Sequence, residues 1–341
     1  MTRAWLVLAA LSAASCHRPA AGWEWVEVPG ATCNDGSPTG FGMSRGSANG
    51  DVLVVFEGGG QCWDFASCFV TEDTVVGPVR ERDFAKRSYR FTGVLDRTDA
   101  ASPFRDFHLV YIPYCTGDFH AGSNVATYTS PTGEARTFRH VGHDNVVADL
   151  RRLTALFPSP RRLVVSGISA GGFGAVANYA TLRDGWSPRA AYLLDDSGPL
   201  LQKDAIPAAD RAAMYGSWHL DRLLDPLCGP ACRDDLSVIN GRLAARYPHD
   251  RLALLSSLED ADISGTLHLS ADVFRAALQD LARDVLDPTP GFRYFFAPGA
   301  THTMLFAPSA FSSAGKPLAA WLAEDVGDDP AWASVPRPAV R

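Results

Sequence analysis

No stripe of lysine and arginine runs through the sequence, and no basic residues interleave with aromatics. Both absences argue against nucleic acid as a partner, as does the formal net charge of −7. Cysteines clustered with histidines at ligand spacing are also missing, so no metal is expected. The one apolar run near the start, Ala4 to Ala14, is too short for a membrane-spanning helix. Glycine (30) and proline (23) do not gather into a low-complexity tract. Spread along the chain, they suit many loops rather than disorder. What remains is 341 residues, 46% hydrophobic, enough for one large core.

The N-terminus carries Arg3, the apolar run and then Ala13-Ala14-Ser15-Cys16. This reads as a secretory signal over residues 1–16. Small residues ahead of a cysteine resemble a bacterial lipobox, with Cys16 lipidated after cleavage, although Ala13 stands where leucine is usual. Residues 17–22 follow as a tether. The expectation is an exported protein of the periplasm or cell surface, lipid-anchored or otherwise secreted. Six cysteines remain for an oxidising compartment. Cys228 and Cys232, and Cys62 and Cys68, are near enough in sequence to close small loops. Cys33 and Cys115 are left as the long-range pair.

The most informative stretch is Arg161 to Tyr179, RRLVVSGISAGGFGAVANY. A short β-branched run turns through Gly167-Ile168-Ser169-Ala170-Gly171 into a small-residue helix pattern. Strand, sharp turn and helix are what a G-x-S-x-G nucleophile elbow needs. A serine hydroxyl needs a base, and the base needs an orienting acid. An acidic group, Glu259, Asp260 and Asp262, follows the strand expected at 251–256. His302 follows the last expected strand, 292–296. Of these acids Asp260 is preferred, with Asp262 and Glu259 as alternatives. The buried strand at 51–57 runs into Gly58-Gly59-Gly60, whose backbone N–H groups can face a cavity. Gly59 or Gly60, with Ala170 after the serine, are the expected oxyanion donors. Asp118 and His120 close another strand, and the simplest reading is a hydrogen bond that orders the loop.

Four motifs occur in order: E-G-G-G-x-C-W at Glu57–Trp63, Y-C-T-G-D-x-H at Tyr114–His120, S-G-x-S-A-G-G at Ser166–Gly172 and D-S-G at Asp196–Gly198. Together they resemble the pectin acetylesterase family, which includes plant pectin acetylesterases, animal Notum-type carboxylesterases and a bacterial branch. The likeness runs from about Cys33 to His302. It implies a fold of α/β-hydrolase type: a mainly parallel central sheet flanked by helices, with a helical cap or insertion. It also implies hydrolysis of an O-acyl ester by Ser169, Asp260 and His302, with Gly59, Gly60 and Ala170 as the oxyanion site. The family's disulfides support Cys62–Cys68 and Cys33–Cys115. One departure is Gln61, where many members have tryptophan beside the acyl pocket; here Trp63 stands two positions on.

The expected layout is a catalytic domain over 23–326, a helical insertion over about 200–247 and a loose tail over 327–341. Partners are an acylated small molecule or polysaccharide, with no cofactor, no nucleic acid and a monomeric state. The acyl group is expected to be acetyl or another short chain. The rivals are a lipase or thioesterase on the same fold, and a surface carbohydrate-binding protein with a dead site.

Overall fold

The structure, a computed structural model, describes residues 22–47, 50–71, 73–87 and 91–337. The signal segment, most of the tether and Cys16 lie outside these. Its centre is an eight-stranded sheet in the order β1-β2-β4-β3-β7-β8-β9-β10. These strands are β1 (Glu24–Thr32), β2 (Pro38–Ser44), β3 (Asp51–Phe56), β4 (His108–Ile112), β7 (Arg162–Ile168), β8 (Ala190–Asp196), β9 (Arg251–Ser257) and β10 (Phe292–Ala297). The first two make antiparallel pairs, β1 with β2 and β2 with β4. From β4 to β10 every pairing is parallel.

Parallel strands need both faces covered, and β3 shows how the sequence meets that need. All six of its residues, DVLVVF, are buried. Val52, Val54 and Phe56 pack into one layer, with α3 (Gly142–Leu156), α4 (Ala170–Trp186) and α8 (Val238–Arg246). Leu53 and Val55 face the other layer, with α11 (Leu318–Val326) and Trp321. The period-2 alternation of one strand therefore feeds two cores. Each parallel connection returns through helical chain, which sets the ends of β3, β7, β8, β9 and β10 on one side.

Residues 200–247 hold α5 (Ala208–Trp218), α6 (Asp221–Cys228), α7 (Pro230–Asp234) and α8. Helix α8 packs beside α4 on the face of the sheet, and residues of α5 and α6 help line the cavity that opens at Ser169. Two short helices, α1 (Phe65–Phe69) and α2 (Glu81–Lys86), interrupt the long loop after β3. A separate hairpin, β5 (Asn124–Thr129) with β6 (Ala135–His140), precedes α3. Helices α9 (Ala261–Thr266) and α10 (Ala271–Leu281) connect β9 to β10. Three disulfides join Cys33–Cys115, Cys62–Cys68 and Cys228–Cys232.

The tail corrects the sequence reading. Its prolines suggest a loose end from residue 327, yet residues 327–337 pack against the sheet. Trp332 is buried against Trp321, whose Nε1 donates to the Ala333 carbonyl at 2.7 Å. Val335 pairs with the outer edge of β10: it donates to the Tyr294 carbonyl and accepts from the Phe296 N–H. A large aromatic side chain and a free strand edge outweigh the local signal of the prolines.

Candidate active site

Ser169 is where β7 turns into α4, and its backbone is left-handed, with φ 57° and ψ −125°. A serine in that region is strained by about 1–3 kcal/mol. Hydrogen bonds on both sides hold it. Its N–H donates to the Asp196 carbonyl at 2.7 Å, and its own carbonyl accepts from Gly172 at 2.8 Å. The turn also needs small neighbours. A side chain at Gly171 would collide with the Phe56 carbonyl, and one at Gly58 would press on Ser169 itself.

Asp260 and His302 come together from the ends of β9 and β10. His302 Nδ1 lies 3.0 Å and 2.9 Å from the two carboxylate oxygens of Asp260. A carboxylate can only accept, so Nδ1 carries the proton and Nε2 presents a lone pair. Asp260 is fully buried and caps α9, accepting from Asp262 and Ile263 N–H. The alternatives are placed differently. Glu259 is paired with Arg275. Asp262 is mostly exposed and reaches only 4.0 Å from Nε2. Burial pulls the His302 pKa down. The hydrogen bond and charge of Asp260, with the charges of Asp262 and Asp196, outweigh that and leave it raised. Ser169 is joined to this pair through residues 196–197. Among the described residues no direct Ser169–His302 hydrogen bond is formed. Such contacts commonly tighten only when substrate binds.

The glycine loop is held from behind. The Gly59 carbonyl accepts from Val75 N–H at 2.7 Å and from Thr74 Oγ1 at 3.1 Å. In a planar trans peptide the N–H points opposite the carbonyl. The Gly60 N–H therefore turns away from residues 74–75. Gly60 has φ 74°, and a side chain there would strike the Asp73 carbonyl. Tyr114 Oη donates to the Gly60 carbonyl at 3.0 Å, and Arg87 pairs with the buried Glu57 just before the glycines. Ala170 opens α4, where first-turn N–H groups have no partner within the helix. Gly60, Ser169 and Ala170 line one cavity of about 100 Å³.

The cavity wall is mostly apolar. Trp63, Phe119, Phe173, Trp218, Leu236 and Ile239 line the cavity together with the serine. Gln61, the departure noted in the sequence, also lines it. Helix α5 is pinned to the loop after the glycines: Trp218 Nε1 donates to the Cys62 carbonyl and Ser217 Oγ to that of Trp63, both at 2.8 Å. Together these wall residues escape sequence reasoning because they come from loops and several separate helices.

Asp118 and His120 lie to one side. Asp118 accepts from Thr116 Oγ1 and Gly142 N–H, and burial pushes its pKa up to about 7. His120 donates through Nε2 to the Glu57 carbonyl at 2.8 Å. Burial pulls its pKa down to about 4. Both order the loops behind the site. Among the described residues the one cluster with metal-ligand proximity is Cys62, Cys68 and His140. Its sulfurs are joined to each other, and both nitrogens of His140 are engaged by Thr116 and Tyr128.

A mainly parallel sheet in this strand order, with a strained serine at the β7–α4 turn, defines an α/β-hydrolase-type protein. Within that class the chain belongs to the pectinacetylesterase family, whose model matches residues 24–218. Human palmitoleoyl-protein carboxylesterase NOTUM is 30% identical over 193 residues, covering 56% of this chain and 34% of that protein. Pectin acetylesterase 7 of Arabidopsis thaliana is 27% identical over 186 residues, covering 52% and 44%. The match thus spans less than half the length of these curated relatives. A solved structure of the Drosophila Wnt deacylase Notum superposes with a TM-score of 0.67 over 92% of this chain and 95% of that one, at 18% identity. At that identity it speaks to the fold alone.

Proposed function

We propose that this chain is a serine carboxylesterase that hydrolyses O-acyl esters. The observation that carries the reading is a strained Ser169 opening into an apolar cavity, with the Asp260–His302 pair on adjoining loops. In this reading His302 Nε2 takes the Ser169 proton as the hydroxyl oxygen attacks the ester carbonyl. Asp260 holds the ring in the required tautomer and stabilises the imidazolium that forms. Gly59 or Gly60 N–H and Ala170 N–H receive the oxyanion, each good donor worth about 3 kcal/mol in the transition state. His302 then returns the proton to the leaving alcohol, and water releases the acid by the reverse route. No step calls for a cofactor.

The cavity bears on the acyl group. A volume of about 100 Å³ corresponds to about three waters at their liquid share of about 30 Å³ each. An acetyl group fills only part of that, and the rest of the wall offers it little to bind. The geometry favours an acyl chain of several carbons, with acetyl accepted but not preferred. The test is turnover of nitrophenyl esters of increasing chain length, beside acetylated pectin and xylan. The optimum should lie above acetyl, and Ile239→Trp should move it back towards acetyl. An acetyl optimum that Ile239→Trp leaves unchanged would sink the chain-length reading. A wild-type protein that turns over none of these esters, and whose Ser169 takes no fluorophosphonate, would sink the esterase reading itself.

Three disulfides suit an oxidising compartment, and we take the protein to be exported. Lipidation of Cys16 is tested by fractionation: Cys16→Ser should move the protein from the membrane fraction to the soluble one.

A further inference from the structure

The end of β8 joins the two loops whose separation decides whether Ser169 and His302 can react. The Asp196 carbonyl accepts the Ser169 N–H at 2.7 Å. One carboxylate oxygen of Asp196 accepts the N–H groups of Met304 at 2.7 Å and Leu305 at 2.8 Å. Ser197 adds a third tie, its Oγ accepting the Thr303 N–H at 3.3 Å. It also donates its own N–H to the Leu255 carbonyl at 2.9 Å, which anchors the dipeptide to β9. Ser197 and Thr303 are both left-handed, with φ 62° each. The chain therefore turns sharply at the tie and again directly after His302. Asp196 is fully buried, and among the described residues no arginine or lysine is a hydrogen-bond partner of its carboxylate.

We propose that Asp196 is a positioning residue: through its carbonyl and its carboxylate it sets the spacing of Ser169 and His302 and adds a further negative charge facing the His302 ring. This rests on the reading of those two residues as nucleophile and base. Two main-chain donors fix the carboxylate on the His302 loop, so the loop cannot shift without breaking charge-assisted hydrogen bonds. The same carboxylate favours the imidazolium that forms during each acyl transfer. The charged groups facing His302 are Asp260, Asp262 and Asp196. Those facing Asp196 are His302 and the adjacent Asp195. Burial holds the Asp196 pKa up at about 6, against the pull of the Leu305 and Met304 N–H groups and His302. Its charge is thus present in the range where His302 must be neutral to act as a base.

The experiment compares wild type with Asp196→Asn and Asp196→Ala in the full oxidised chain. It reads kcat, KM, the pH profile of kcat/KM and the NMR titration of the His302 ring. Asp196→Asn keeps the shape and one acceptor oxygen while removing the charge. It should lower kcat about tenfold with KM nearly unchanged. Losing a negative neighbour lowers the His302 pKa, so the acid limb and the ring titration should both move to lower pH. Asp196→Ala also frees the loop and should cost about 10²-fold in kcat. If the alanine variant does not fold, the asparagine variant decides. A folded Asp196→Asn protein with wild-type kcat and an unmoved His302 titration overturns the proposal. So does one that loses melting temperature and nothing else. An inactive wild type would instead count against the esterase reading, while the ring titration would still decide the Asp196–His302 coupling.

Discussion

The two ends of the central sheet are built on opposite terms. At the amino end, β3 begins with a buried Asp51 that is saturated by cations. Arg161 donates to it at 2.9 and 2.5 Å, and Arg162 at 3.1 and 2.6 Å. Burial alone would raise its pKa, but the bonds and charges of Arg162 and Arg161 bring it below the usual value. At the carboxyl end, buried Asp195, Asp196 and Asp260 are met by backbone N–H groups and one histidine rather than by arginine. Ser169, Ser197 and Thr303 are all left-handed there. The amino end holds its buried aspartate with arginines, although Ser159, Ser187 and Asp328 are left-handed there too. The carboxyl end holds its three aspartates with main-chain bonds and one histidine, and pairs Glu57 with Arg87. The lesson is that stability and reactivity are kept about one strand length apart, so each can be changed alone.

The sharpest way to break that separation is at Ser169. Ser169→Ala should lower kcat/KM by about 10⁴-fold or more and abolish fluorophosphonate labelling. Its melting temperature should stay level, since a burden of backbone strain is all that the hydroxyl's removal leaves behind. Asp260→Ala should cost about 10²–10⁴-fold in kcat, whereas Asp262→Ala, at an exposed carboxylate, should stay within about threefold. Equal losses from the two would refute the assignment of the orienting acid. At the other end the effects should reverse. Asp51→Ala should cost about 2–4 kcal/mol in a denaturant titration, with kcat unchanged. An accompanying loss of kcat would show that the two ends are coupled.

The smallest effect concerns Asp325 on α11, near the amino end. Both of its carboxylate oxygens are buried with no hydrogen-bond partner among the described residues, and burial pushes its pKa up to about 8. The folded state therefore keeps a proton that the unfolded chain gives up between about pH 4 and pH 8. Stability should fall as the pH rises through that window. Asp325→Asn removes this part of the fall, so its melting temperature should exceed wild type by a few degrees, about 2–4 °C, at pH 8 and by less at pH 5. A constant difference across that range would contradict the assignment.

The parallel strands were legible because β3, β7, β8, β9 and β10 are short apolar runs, and the elbow because its glycines sit at required spacings. Ser169 is singled out by that spacing and His302 by its place after the last strand. The choice among Glu259, Asp260 and Asp262 does not follow from either. Three carboxylates within four positions differ only in how the turn into α9 aims them, and the capping role of Asp260 settles the aim. The β5–β6 hairpin is absent from the sequence reading. Its strands NVATYT and ARTFRH are largely exposed and lack a sustained apolar face. The cavity wall is hidden for another reason: Trp63, Phe119, Trp218 and Ile239 become neighbours only after α5 and α8 dock. Asp196 stood in plain view within D-S-G, but a motif does not reveal which loops its oxygens hold.

The pairing of Val335 with the edge of β10 has a consequence for folding. Until residues 332–335 are seated, the outer side of β10 shows unpaired N–H and carbonyl groups to every other chain in its surroundings. A molecule that has not yet seated them is thus more prone to self-association. A chain cut after residue 327 would remain in that state, and would be expected to accumulate as aggregate even with its reactive groups intact.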